Sequence, residues 1–253
     1  MTFGGETFLD GVTLSHAEFY DRLTSGDILP TTSQIPPAQF ADAFEQVTAD
    51  GDTVIVVTLS SKFSGTYQSA SIAASDFPDK VFVVDSYNLS LGQWALIEYG
   101  VRLMHDGLDA PHIVNKLNDA KGRLHTIALL DTLEYLKRGG RISKTVAFAG
   151  GLLSIKPVVA VRDGAVELVG KARGSKQGNT CLTDEIEKCG GVDFSMPIRL
   201  GYTGNDDTLL QNYIADSTIQ WKNHLESLPI MTVGGAIGTH IGPGAIAVSF
   251  FEK

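Results

Sequence analysis

Short apolar runs rich in β-branched residues alternate with stretches of helical period along most of this chain. TVIVVTL (53–59) and KVFVVDS (80–86) are continuously apolar, the pattern of parallel strands covered on both faces. Between and around them the periodicity predicts helices. Ser15-His16-Ala17-Glu18 is a capping box opening a helix to about Ser25, with Gly26 as its C′ residue. Pro37 sits in the first turn of PAQFADAFEQVTA. TYQSASIAAS, the stretches at about 90–106 and 110–121, and TLEYLKRGG also read as helical, and HTIALL reads as a third parallel strand at about 125–130. Past Gly139-Gly140 the character changes. KPVVAVRDGAVELVGKARG reads as an antiparallel hairpin turning at Asp163-Gly164. A helix at about 175–189, the strand PIRLGYT and a helix from about 205 follow. LPIMTV and AIAVSFF close the chain as strands around GGAIGTHIGPG, read as a Gly-rich loop. The pattern predicts an α/β protein of two domains, 1–145 with a parallel sheet and helices on both faces, and 146–253 with a mixed or antiparallel sheet.

Composition narrows the function. A chain of 253 residues with 43% hydrophobic and 19% charged residues can bury a core. Its 29 acidic against 20 basic residues give a net charge of −9, and the densest basic cluster is only Lys137-Arg138 with Arg141 and Lys144 behind it. Nucleic acid and acidic membrane surfaces are disfavoured. Residues 227–251 contain no Asp, Glu, Lys or Arg, but five glycines and two prolines break the window into strands and a loop, not a membrane span. The two cysteines, Cys181 and Cys189, share one predicted helix about 12 Å apart, too far for a disulfide, and no Cys-based zinc site can form. A cytosolic location fits this usage, and MTFGGETFLDG lacks the basic and apolar regions of a signal peptide.

No G-x-S-x-G, Walker A or dinucleotide-binding glycine pattern occurs, and no histidine pair has metal-ligand spacing; His105 and His112, seven apart, read as surface residues. What remains is a set of hydroxyl residues at strand ends. SSKFSGTY lies where a buried strand gives way to a helix, at the sheet edge where ligands bind in open α/β folds. Ser64, Gly65 and Thr66 there offer hydroxyls and free N–H groups to an anion, or Ser64 simply caps the helix. Thr31-Thr32-Ser33 reads equally as a polar loop, and Arg141 and His240 are unremarkable singly.

Taken together and in this order, TTSQIPP, SSKFSGTYQSA, LLDTLEYLKRGGRIS, SIKPVV…DG and GTHIGPGA resemble the DegV family of bacterial lipid-binding proteins, which includes the fatty acid-binding subunits of the fatty acid kinase system. The resemblance spans residues 2–253. It implies a two-domain protein, not an enzyme and without a cofactor, holding one fatty acid of about C16–C18 in an apolar tunnel with its carboxylate innermost. It also implies a kinase catalytic subunit as partner. By position, Thr32 and Ser64 match the family's carboxylate-binding hydroxyls, Arg141 and His240 match positions near the head group, and Arg173 matches a basic position on the kinase-docking face. Two departures stand out. Family members begin with about 25–30 more residues, including a first strand ending in Asp-Ser or Asp-Thr; the reading expects TVIVVTL to carry an unpaired edge in their absence. Ile35 stands where Pro normally follows Gln34. Two other readings remain open: an enzyme using the Ser64 loop as an anion cradle, and a regulatory module whose lipid is structural.

Overall fold

A computed structural model describes residues 1–26, 28–142, 155–221 and 223–253. The chain opens on a two-strand ribbon, β1 (Thr2–Phe3) and β2 (Glu6–Thr7), that the sequence pattern does not announce. Helix α1 (His16–Ser25) starts where the Ser15 hydroxyl accepts the Glu18 N–H at 3.2 Å, as the capping box requires. Gly26 follows it in extended conformation, φ −134°, not in the left-handed form expected of a C′ glycine. Helix α2 (Pro37–Thr48) has Pro37 as its first residue.

Strands β3 (Val54–Thr58) and β4 (Val81–Asp85) pair in parallel, Val54 opposite Val81 through Thr58 opposite Asp85. Helix α3 (Thr66–Ala74) joins them, and α4 (Ser90–His105) and α5 (Ala110–Ala120) follow. Ile55, Val57 and Val84 pack with α4 and α5, while Val56, Val81 and Val83 pack with α2 and α3. Both faces are covered, which is why these strands are apolar throughout. Among the described residues β3 pairs on one side only, with β4.

The third expected strand is a strand but not in that sheet. β5 (Leu124–Leu129) lies antiparallel between β6 (Ile155–Arg162) and β10 (Ile246–Phe251) in a six-stranded sheet. The other members are β7 (Ala165–Arg173), β8 (Arg199–Tyr202) and β9 (Ile230–Thr232), in the order β7-β6-β5-β10-β8-β9. The apolar run of β5 records burial on two faces and is silent about its neighbours. Ile127, Leu129, Val158, Leu200, Val248 and Phe250 face α7 (Gly174–Lys188) and α8 (Thr208–Asp216). A short helix, α9 (Thr218–Trp221), adds the buried Trp221. Thr126, Ala128, Val159 and Ala247 lie on the opposite face, toward α4. The expected domain boundary at residue 145 lies outside the described residues. Cys181 and Cys189 are free thiols.

The β6–β7 hairpin turns as its Asp-Gly pair predicts, with Asp163 and Gly164 both left-handed (φ 48° and 79°). Its tip reaches the loop after β3: the fully buried Ser60 hydroxyl donates to the Gly164 carbonyl at 2.7 Å. The segment read as a Gly-rich loop is helix α10 (Gly235–Ile241) for most of its length, and α6 (Glu134–Arg138) packs beside it. Its glycines serve close approach. A Cβ at Gly235 would fall 2.8 Å from a Phe19 ring carbon, and one at Gly238 would fall 2.7 Å from the Tyr20 oxygen. Gly238→Ala should therefore lower stability by about 1–3 kcal/mol through overpacking. Gly122→Ala, where a Cβ meets nothing within 4 Å, should be neutral or nearly so. Equal urea midpoints for the two variants would show that α10 tolerates displacement.

Candidate functional site

Thr32, Ser64, Arg141 and His240, far apart in sequence, line one cavity of about 260 Å³. It adjoins a narrow apolar cavity of about 60 Å³, and Leu89, Leu136, Val166, Ile237 and Ile241 line both. The first cavity holds the polar groups; the second is walled by valine, leucine, isoleucine and alanine, with Ser90 and Thr126 at its margin. A larger groove of about 530 Å³ beside α7 is lined mostly by charged and polar side chains and contains none of the four residues.

Each polar residue is held by its own anchor. Thr32 follows Thr31, whose backbone exchanges two 2.9 Å hydrogen bonds with Thr2. Gln34 donates from its side-chain amide to Ser69 in α3 at 3.2 Å and lies against Gly65, where a Cβ would fall 2.0 Å from its oxygen. This contact explains why Thr-Ser-Gln and Ser-Gly-Thr belong together: the glycine leaves the space that the glutamine fills. Ser64 precedes the N-cap residue of α3, which is Gly65. Its Oγ lies 2.9 Å from the Thr66 hydroxyl and accepts the Thr66 N–H at 3.3 Å, so it stays at the helix start without being the cap itself.

Arg141 donates from Nε to the Phe63 carbonyl at 3.2 Å and from a terminal nitrogen to the Gly139 carbonyl. Among the described residues no carboxylate pairs with it. His240 Nε2 lies 2.8 Å from Thr32 Oγ1, while its buried Nδ1 has no partner among the described residues. A Cβ at Gly139 would come within 2.2 Å of that nitrogen, so the first glycine of the Gly-Gly pair makes room for the ring. Burial, and secondarily the Arg141 charge, push the His240 pKa down to about 4. Helix α10 is fixed at its other end by Asp10, whose carboxylate accepts the Gly235 and Ala236 N–H groups at 2.9 and 2.8 Å.

The result is an anion-seeking end beside an apolar pocket: a guanidinium without a counter-ion among the described residues, hydroxyls, and a neutral imidazole. The His240–Thr32 pair has the spacing of a base and a nucleophile, a juxtaposition invisible in the sequence. Among the described residues nothing orients its Nδ1, however, and the lowered pKa makes it a weak base. No cluster of metal-ligating side chains occurs among the described residues, and none of their helices is long and apolar enough to cross a membrane. Arg173 does not line the cavity. It is exposed at the end of β7, its N–H donating to Gln177 at 2.7 Å. No site role follows from the sequence for Gln34, Gly139 or Asp10, although Gln34 lines the cavity and the other two position His240 and its helix; Gln34 and Gly139 lie in the motifs TTSQIPP and LLDTLEYLKRGGRIS, and Asp10 carries no local signal.

A family model described as "Uncharacterised protein, DegV family" matches residues 1–253. The chain belongs to the DegV family. A DegV domain-containing protein of Caldanaerobacter subterraneus subsp. tengcongensis is 35% identical over 252 residues, covering 98% of this chain and 88% of that protein. The DegV fold recurs in solved structures. A fatty acid-binding DegV family protein of Thermus thermophilus has TM-score 0.88 at 29% identity, covering 99% of this chain and 89% of that one. A stearic acid-binding protein of Eubacterium ventriosum has TM-score 0.82 at 28% identity, covering 96% and 85%. DegV of Bacillus subtilis, also described as a fatty acid-binding protein, has TM-score 0.81 at 27% identity, covering 100% and 89%.

The depressed His240 pKa makes a prediction for this DegV protein. Unfolded, the imidazole titrates near 6.5; folded, near 4. Between those values the unfolded chain binds more protons, so stability falls as pH is lowered through this window and the contribution is complete above it. The urea midpoint of the empty protein should drop between pH 7 and pH 5 by more than that of His240→Asn. Equal drops would show that His240 is protonated without cost.

Proposed function

We propose that this protein binds one long-chain fatty acid without transforming it, and presents the carboxylate to a partner kinase that forms the acyl phosphate. The observation that carries the reading is Arg141, which has no carboxylate partner among the described residues, together with the hydroxyls of Thr32 and Ser64 at the polar end of a cavity that adjoins an apolar one. The fatty acid-binding DegV proteins of T. thermophilus and B. subtilis and the stearic acid-binding protein of E. ventriosum support its fatty acid-binding part.

The energetics agree. Each buried CH₂ contributes about 0.8 kcal/mol, so the tail supplies affinity without a specific contact. The carboxylate leaves water and costs several kcal/mol unless it is hydrogen-bonded. With the His240 proton on Nε2 donating to Thr32 Oγ1, the Thr32 hydroxyl proton is free for the carboxylate, and only an acceptor lone pair at Nδ1 goes unpartnered. Ser64 donates likewise, and Arg141 supplies the charge. An uncharged His240 suits a binder: it orients a donor and takes no proton from the ligand.

Each hydroxyl bonded to an ionised carboxylate is worth about 1.5–3 kcal/mol, or roughly 10–150-fold in affinity. Ser64→Ala and Thr32→Val should each weaken palmitic acid binding within that range. Both should weaken methyl palmitate far less, since an ester carries no charge. A parallel loss for acid and ester in Ser64→Ala removes Ser64 from the site. Arg173, away from the cavity, is assigned to kinase contact. Arg173→Ala should leave acid affinity unchanged while lowering acyl-phosphate formation by the added kinase subunit; reduced affinity would refute that division.

A further inference from the structure

Thr32, Arg141 and His240 line a second cleft as well as the polar cavity. It has a volume of about 330 Å³, and Thr31, Tyr135 and Arg138 contribute to its walls. The cleft and the polar cavity have only those three residues in common, so the three form the partition between them. Ser64 lines the inner side alone. Thr31 and Arg138 are exposed, which opens the cleft to solvent.

The lining has the chemistry of an anion site. In a chain of net charge −9, the densest basic cluster puts two guanidiniums on one cleft, and among the described residues no carboxylate lines it. Arg141 is committed to two backbone carbonyls, those of Phe63 and Gly139. Arg138 makes no ion pair among the described residues, because Glu134, the acidic residue of α6, lies 3.7 Å from Lys137 instead. The Gly139 carbonyl at the end of α6 would repel an anion, but the Arg141 guanidinium already donates to it. The wall is also firmly seated. A Cβ at Gly242, just past α10, would fall 2.3 Å from a Tyr135 ring carbon, so α6 is packed closely where it carries Tyr135 and Arg138.

Forming an acyl phosphate moves charge toward such a place. A carboxylate oxygen attacks the terminal phosphorus of a nucleoside triphosphate supplied by the kinase. The new O–P bond replaces the bond to the nucleoside diphosphate, which leaves with the electron pair, and no proton is transferred. The carbonyl left beside Thr32 and Ser64 is neutral. The charge, close to two units, now sits on a phosphoryl group beyond the bridging oxygen. Resting on the function proposed above, we infer that this outer cleft is a phosphoryl site, where Arg138 and Arg141 hold the phosphoryl group of the acyl phosphate while the acyl chain stays in the inner cavities. Arg141 borders both sides and serves the acid and its phosphate. Arg138 borders the cleft alone and serves only the phosphate, to which an arginine fork offers paired donors.

The experiment compares three ligands on wild type, Arg138→Ala and Arg138→Lys. They are palmitic acid, the β-ketophosphonate in which a methylene replaces the bridging oxygen of palmitoyl phosphate, and the matching methyl ketone without the phosphonate. On wild type the phosphonate should bind about tenfold or more tighter than the ketone, and Arg138→Ala should remove most of that advantage. Palmitic acid and the ketone should keep their affinities in that variant. Arg138→Lys, which keeps the charge and loses the fork, should fall between. A phosphonate no tighter than the ketone, or equal weakening of palmitic acid and phosphonate by Arg138→Ala, overturns the inference and leaves fatty acid binding standing. Inorganic phosphate tests for a free anion: if it binds the palmitate-loaded protein as tightly as the phosphonate binds the empty one, the assignment to the acyl phosphate falls. A wild type that binds neither palmitic acid nor the phosphonate sinks the underlying reading and this one with it.

Discussion

The polar end of the cavity depends on how one short helix is seated. Helix α10 carries His240, and its position is set by contacts that leave no slack. Asp10 holds its first N–H groups, Phe19 and Tyr20 press against Gly235 and Gly238, and Tyr20 donates to the Val233 carbonyl at 2.7 Å. Only a glycine-faced helix can approach that closely. The approach brings the imidazole against Gly139 and within 2.8 Å of Thr32, and so joins three segments separated by more than a hundred residues. Shift α10 by one side-chain diameter, and Thr32, Arg141 and His240 no longer share a wall.

Seen this way, the two sheets divide the work. The parallel pair and its loops present hydroxyls, backbone groups and the Ser64 turn at the head of the cavity. The large antiparallel sheet contributes a floor of small and branched apolar side chains. Helix α4 lies between them, touching β3 on one side and β5, β8 and β10 on the other. Gly201 in β8 lets Leu91 at its start come close, since a Cβ there would fall 2.7 Å from that side chain. A cavity lined by two independently built surfaces can be polar at one end and dry at the other without either sheet burying an unpaired charge.

Much of this was legible in the chain, and the failures are instructive. Helices α1 and α2 follow from a capping serine and a proline, and the hairpin from Asp163-Gly164, because those signals are local. The four residues that share the cavity were named from a family resemblance, not from spacing, since nothing in the sequence relates Thr32 to His240. The misplacement of β5 has a different origin. A strand buried on both faces reads the same in a parallel or an antiparallel sheet, and pairing is decided by partners distant in sequence, Val158 on one side of Leu129 and Ile246 on the other. The glycines of 234–244 suggested a loop because glycine is costly in helices. In α10 they are tolerated because the aromatic side chains of α1 fill the space that Cβ atoms would occupy.

The hydrogen bond from Ser60 to the tip of the β6–β7 hairpin bears on the geometry of the cavity. Neither Ser60 nor Gly164 lines the cavity, yet the loop beyond the first carries Phe63 and Ser64, and the strand beyond the second carries Val166, which does. Any widening of the cavity between these walls must either carry the hairpin along as a unit or break a fully buried bond. A contact that lines neither cavity therefore ties together the two walls that do, and the spacing of those walls is set partly at the hairpin tip.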